Sequence, residues 1–368
     1  MGELKRTPLH YKHGQAGGKM VPFAGYEMPV QYPTGILAEH RAVRERAGLF
    51  DVSHMGEFIV RGGDALGFVN HVTTNDASRL AVGQAQYSVL CNEQGKALDD
   101  CIVYRFDDHY MMVVNASNRD KDREWIARYA GPYGVQLSDR SDDIALLALQ
   151  GPRAQEILSG ICSMALDGIA YYHFVQGTIA GQPAIVSRTG YTGEDGFELY
   201  IDAQDAEAVW DAVLAAGAPF ALGPIGLGAR DSLRLEMGYI LYGNDLDEDH
   251  SPLEAGLGWV TRLDKPDFVG KAALVAQKAS GVRRKLIGFR LKERGFPRHG
   301  YEVRAQGKRT GEVTSGTVSP MLEQGVGLAY VESDAARAGS DIEIMVRDKA
   351  SPAEVVKTPF YTRGSIRR

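Results

Sequence analysis

Two β-rich runs, residues 87–91 and 97–106, flank the segment Asn92-Glu93-Gln94-Gly95. Asn and Gly supply turn chemistry between such runs, so the pattern predicts a β-hairpin. Side chains alternate faces along a strand. Leu98, Asp100, Ile102, Tyr104 and Phe106 therefore share one face of the return strand, and Asp99, Cys101, Val103 and Arg105 the other. Four large apolar side chains mark the first face as the buried one. Asp100 then stands in an apolar row, where a carboxylate is costly without a partner. Asp99, on the opposite face, is expected to matter much less.

Helical spacing predicts helices over 36–47 (closed by Gly48), 64–72 (capped by Asp64), 119–130 (capped by Ser117 or Asn118), 205–216 (capped by Asp205), 227–237 (closed by Gly238) and 270–280. Pro152 suits a first helical position. Residues 7–33 read as short strands and turns, 110–115 and 144–150 as strands, and 186–201 as a second hairpin turning at 193–196. Beyond Gly281 only short alternating runs remain: 285–291, 300–304, 310–319, 326–331 and 341–346. That pattern predicts a small all-β barrel or sandwich. The expected division is 1–281, a mixed region without regular βαβ spacing and hence α+β, and 282–368, the β domain.

The length of 368 residues allows two or three domains. A net charge of −6 without a basic block argues against a nucleic-acid partner. Three dispersed cysteines give neither a disulfide framework nor a zinc motif. No run approaches a membrane span of about 20 apolar residues, and the first residues lack a signal-peptide core. A cytoplasmic protein without a membrane partner is expected. No His-x-x-x-His, Cys-x-x-Cys or Gly-x-Ser-x-Gly motif announces metal or serine chemistry, so no metal is expected.

Three charged residues embedded among Gly and aromatics remain as candidates. They are Asp100, Glu198 in Gly190-Tyr-Thr-Gly-Glu-Asp-Gly-Phe-Glu198, and Arg230 in Gly228-Ala-Arg-Asp-Ser-Leu-Arg-Leu-Glu236. Each has a plainer reading. Asp100 caps a turn or pairs with a structural Arg, Glu198 lies on a solvated face, and Arg230 pairs with Asp231 or Glu236. Taken together, Glu, Arg, Asp and several Tyr suit a flat heteroaromatic ring with an acidic tail: Glu accepts from the ring edge, Tyr stacks, and Arg holds a carboxylate.

These stretches, with residues 18–32, 47–56 (Ala-Gly-Leu-Phe-Asp-Val-Ser-His-Met-Gly) and 98–104 (Leu-Asp-Asp-Cys-Ile-Val-Tyr), resemble the T-protein (aminomethyltransferase) family of the glycine cleavage system from about Thr7 to Tyr361. The resemblance implies an α+β clover leaf: two interleaved lobes around a folate channel, plus a C-terminal β-barrel. It implies transfer of a methylene unit from the aminomethylated lipoyl arm of H-protein to tetrahydrofolate, which is an acceptor substrate. Ammonia is released. By the same resemblance Asp100 is catalytic, either as acceptor for the attacking nitrogen or as a proton shuttle. Met55, Tyr87, Ile102, Tyr104, Asn115 and Tyr191 line the folate channel; Glu198 meets the pterin edge; Arg230 meets the acidic tail, with Tyr239 nearby. Tyr26 stands where many relatives have Trp, and the segment 359–363 matches only loosely. The scaffold's other uses, a folate-dependent demethylase of a small methylated compound and a non-enzymatic folate-binding protein, are the alternatives.

Overall fold

The computed structural model describes residues 3–346 and 349–366. The chain opens with α1 (His10–Gln15), the β1 (Lys19–Phe23)–β2 (Tyr26–Gln31) hairpin and α2 (Ile36–Glu45). Next come β3 (Gly48–Asp51), β4 (Gly56–Arg61), α3 (Ala65–Val72), β5 (Gln84–Cys91), β6 (Ala97–Arg105), β7 (His109–Val114), α4 (Arg119–Ala127) and β8 (Gln136–Asp139). Then follow β9 (Ile144–Gln150), α5 (Ala154–Ser159), β10 (Phe174–Ile179), β11 (Gln182–Ser187), β12 (Gly196–Asp202), α6 (Ala206–Gly217), β13 (Gly223–Pro224), α7 (Leu227–Glu236) and α8 (Lys271–Ser280). The last strands are β14 (Arg284–Leu291), β15 (Glu302–Ala305), β16 (Lys308–Val318), β17 (Gly325–Glu332), β18 (Asp341–Val346) and β19 (Lys349–Val356).

Two sheets face each other. One has the order β5-β6-β7-β4-β8, the other β10-β11-β12-β9-β3-β13. Their lobes interleave in sequence because β3 belongs to the second sheet although it precedes the whole first sheet. Between the inner faces lies an apolar cluster of Phe50, Tyr104, Phe106, Val113, Leu146, Phe174 and Tyr200, joined by Ala229 and Leu233 of α7. Each outer face carries its own core. Phe68, Val69, Trp125 and Ile126 of α3 and α4 cover the first sheet; Ile157, Val209, Trp210 and Val213 of α5 and α6 cover the second. Strands β14–β19 form a closed barrel, sealed by pairing of β14 with β19.

Several local expectations change. Helix α1 lies where only strands and turns were expected. Helix α2 ends at Glu45, and Gly48 starts β3 rather than closing the helix. A Cβ at Gly48 would fall 2.3 Å from Ile225 Cγ1 and 2.7 Å from a Val43 methyl, so close packing explains that glycine. Asp64 does cap α3, accepting from Gly67 N at 2.8 Å. Asn118 and Asp205 hold N-cap positions without a side-chain cap bond. Pro152 precedes α5, which begins at Ala154. The second hairpin turns through the long loop 188–195, because Ser187 already pairs with Glu198. Strand β19 was not anticipated; Pro352 within it argues against a strand in sequence terms.

The face assignment on β6 needs correction. Leu90 pairs with Asp99 and Cys91 with Ala97, so Leu98 is an extra, bulged residue. The bulge turns Leu98 toward the outer core beside Cys101 and Val103. Both faces of the strand are buried. Asp99 is wholly sealed, whereas Asp100 keeps partial access.

Candidate active site

Asp100 sits in the middle of β6, its carboxylate held from two sides. Tyr87 on β5 donates its hydroxyl to Asp100 Oδ2 at 2.8 Å. Asn115, just past β7, donates Nδ2 to Asp100 Oδ1 at 2.8 Å. Asp100 neither caps a turn nor pairs with an Arg. Burial, and next the negative charge of Asp99, push its carboxyl up to about 7, against the two hydrogen bonds. Near neutral pH it can hold or release a proton.

The second sheet supplies the opposing groups. Glu198 on β12 is 7% exposed, which removes the solvated-face reading. Its Oε2 accepts from Thr189 Oγ1 at 2.5 Å. Burial raises its pKa, while Thr189 and the Arg230 charge oppose the shift. Arg230, on α7, pairs with neither Asp231 nor Glu236. Asp231 binds Arg234 at 2.8 Å, and Glu236 is taken by Arg44 and His40. The Arg230 guanidinium lies over the Tyr191 ring, 4.9 Å from its centroid, and its Nη1 is buried without a hydrogen-bond partner. Tyr191 stacks on Tyr239 at 5.8 Å with an interplanar angle of 23°. The Tyr191 hydroxyl donates to the Ile240 carbonyl. Tyr191 is close enough to Asp100 and Arg230 for both charges to act on its hydroxyl.

Of the other sequence candidates, Met55 and Ile102 are half-buried against the inter-sheet cluster. Tyr104 is fully enclosed, its hydroxyl 2.9 Å from that of Tyr200 and 3.4 Å from Thr189 Oγ1. It reaches the site through Thr189 and Glu198. Tyr361 packs under the Arg44 guanidinium at 4.4 Å.

Further polar groups in this region escaped the sequence reading. His54 Nδ1 and both carboxylate oxygens of Glu57 are buried without partners. Burial pushes the His54 imidazole down to about 4, so it is neutral. Tyr172 adopts φ +61, a strained conformation for a non-glycine residue, and burial, with the Glu198 charge among its neighbours, raises the pKa of its hydroxyl. Trp259, two-thirds exposed, stacks on Tyr87 with centroids 6.1 Å apart. His54 lies inside the Phe-Asp-Val-Ser-His-Met motif itself, whereas the positive φ of Tyr172 has no sequence signal. Among the described residues no group of three or more His, Cys, Asp or Glu is disposed to hold a metal.

A partly accessible carboxylate of near-neutral pKa and a buried arginine laid on a tyrosine thus lie on elements around the inter-sheet core. Comparison with known proteins shows that the chain is a transferase, and of which family. Residues 9–265 match the GCVT N-terminal domain, and residues 284–362 match the glycine cleavage T-protein C-terminal barrel domain. An aminomethyltransferase of Halothermothrix orenii is 49% identical over 358 residues, covering 97% of this chain and 100% of that one. Another, from Symbiobacterium thermophilum, is 51% identical over 366 residues, with 97% of each chain covered. The crystal structure of glycine cleavage system aminomethyltransferase T from Bartonella henselae superposes with a TM-score of 0.92, at 34% identity and 99% coverage of both chains. The chain belongs to the glycine cleavage T-protein family and is an aminomethyltransferase.

Proposed function

We propose that the acceptor is tetrahydrofolate, bound between the two sheets, and that the donor is the aminomethylated lipoyl arm of H-protein. Three features of this region fit a folate. Glu198 can accept from the pterin edge, the Tyr191–Tyr239 pair offers a stacking face, and Arg230 Nη1 lacks a partner that a folate carboxylate or neighbouring carbonyl would supply. The observation that carries this reading is Asp100, held on both oxygens yet partly open, with Tyr191 near enough to feel both its charge and that of Arg230.

In this reading Asp100 works as a shuttle. Its carboxylate accepts the proton of the attacking folate nitrogen as that nitrogen bonds to the methylene carbon. The carbon–nitrogen bond to the departing amine breaks, and Asp100 returns the proton to that amine, which leaves as ammonia. The second folate nitrogen then bonds the same carbon as the carbon–sulfur bond to the lipoyl arm breaks, and the proton that nitrogen loses ends on the released sulfur as the dihydrolipoyl thiol. Tyr87 and Asn115 fix the carboxylate's direction throughout. Residues 1–281 form the catalytic region and 282–368 the barrel domain in this proposal. Three free cysteines, two of them buried, suit a reducing cytoplasm.

The test mixes the protein with tetrahydrofolate and aminomethylated H-protein and measures ammonia and methylenetetrahydrofolate. Stoichiometric formation of both is expected. Turnover of a small methylated compound without H-protein would instead place the chain with the folate-dependent demethylases.

A further inference from the structure

Behind Asp100 lie two more buried carboxylates, Asp99 on β6 and Asp122 on α4, both fully excluded from solvent. Asp99 receives three N–H donors: Asn115 N at 2.9 Å on Oδ2, and Asn115 Nδ2 and Asn118 Nδ2, each at 2.8 Å, on Oδ1. Asp122 receives none on either oxygen. Its carboxyl faces that of Asp99. The nearby cation, Lys121, is spent elsewhere, on the Leu98 carbonyl at 2.8 Å, Glu248 at 3.0 Å and the Tyr242 hydroxyl at 3.2 Å. The other titratable groups around the three carboxylates are Tyr87, Cys91, Cys101, Tyr191 and Tyr242, all neutral where burial raises their pKa; the Arg230 guanidinium lies over the Tyr191 ring.

We propose that Asp99 and Asp122 share one proton, carried by Asp122, so that a single fixed negative charge on Asp99 positions and tunes Asp100 through Asn115. Two facing carboxylates in a dry site cannot both ionise. The one with three donors keeps the charge, and the one with none keeps the proton and donates it to its neighbour. Asn115 Nδ2 then serves both neighbours, since it reaches Asp99 Oδ1 and Asp100 Oδ1 at the same 2.8 Å. Asp99 and Asp122 are positioning residues; neither needs to touch substrate. The upward push of Asp99 on Asp100 agrees with this charge assignment. The inference rests on Asp100 as the proton shuttle, but its test does not need turnover.

The test is a pH titration of side-chain carboxyl carbons in protein labelled with ¹³C-aspartate, assigned with Asp100→Asn. In Asp99→Asn the Asp100 titration should move down by about 1–3 units, as expected for loss of an adjacent like charge. Asp122→Asn replaces an O–H donor with an N–H donor and should leave the Asp100 titration in place. One aspartate signal should stay protonated a unit above the Asp100 midpoint and vanish in Asp122→Asn. The acid limb of the kcat profile should follow the same pattern. An unmoved Asp100 titration in Asp99→Asn overturns the proposal, as does an Asp122→Asn shift equal to that of Asp99→Asn. If Asp99→Asn does not fold, Asp122→Asn decides alone: wild type without a persistently protonated aspartate refutes the shared proton. Failure of Asp100→Asn to lose turnover would refute the shuttle and leave the pair standing.

Discussion

Tyr87 and Asp100 stand diagonally across the first hairpin, and the tyrosine hydroxyl donates to Asp100 Oδ2 at 2.8 Å. That bond lowers the Asp100 pKa against burial and against Asp99. Tyr87→Phe removes it. The Asp100 titration should then rise further above neutral, because the charged form loses a donor worth about 1.5–3 kcal/mol. Turnover at pH 7 should fall and recover at higher pH. A pH–rate profile of the variant checks this; a loss that higher pH does not relieve would make Tyr87 a packing residue.

Asp100→Asn preserves shape and removes the carboxylate. Turnover with aminomethylated H-protein at saturating folate should drop by about 10²–10⁴-fold, with folate affinity retained. Calorimetry for folate and an ammonia assay separate the two effects. Asp99→Asn is no longer a mild comparison, since Asp99 anchors Asn115.

The same substitution should raise stability, with a definite pH dependence. The Asp100 pKa is raised on folding, so the folded state holds the proton more tightly than the unfolded chain. The protonated group favours folding below the ordinary aspartate value, and this is lost as pH rises through about 7. Asn carries no such liability. Asp100→Asn should therefore gain melting temperature over wild type at pH 8 and little at pH 4. Thermal unfolding at both pH values checks it; a larger gain at the lower pH contradicts the burial argument.

Glu198→Ala and Arg230→Lys probe the two ends of the ligand. Glu198→Ala should weaken folate binding by about 1–3 kcal/mol by leaving ligand donors unpaired. Arg230→Lys keeps the charge but loses the planar group over Tyr191, so it should not be silent. Unchanged affinity in both variants would move the folate elsewhere.

Arg44 carries a structural prediction. It donates to Glu236 from Nε at 3.0 Å and Nη2 at 2.9 Å, and from Nη1 to Glu194 at 2.7 Å. Glu236 also accepts from Ser319 of the loop after β16 at 2.5 Å, tying α2 and α7 to the barrel. Arg44→Leu would take the guanidinium away from two buried carboxylates, leaving Glu236 with His40 and Ser319 and Glu194 with Ser365, and should cost about 3–5 kcal/mol in denaturant unfolding. A cost below about 1 kcal/mol, that of an exposed ion pair, would contradict this.

The sequence by itself determined the first hairpin, the helices at 64–72 and 227–237, the run of short strands after Gly281, and Asp100 as a carboxylate out of place. These are local matters of period, turn chemistry and composition. It also contained the motif set that identifies the family. Which β6 residues are sealed was decided by tertiary structure: a one-residue bulge at Leu98 breaks the alternation, and α4 covers the face that period two had left to solvent. The strand pairing that sends β3 to the far sheet is likewise non-local, and so is the fate of Arg230. Its helix offers Asp231 and Glu236 as partners, but Arg234, Arg44 and His40 take them. Arg230 is left to lie on Tyr191, a tyrosine of the distant loop 188–195. Charge pairing in a folded chain follows distance in space, and residues that compete for one carboxylate cannot be ranked until packing has set those distances.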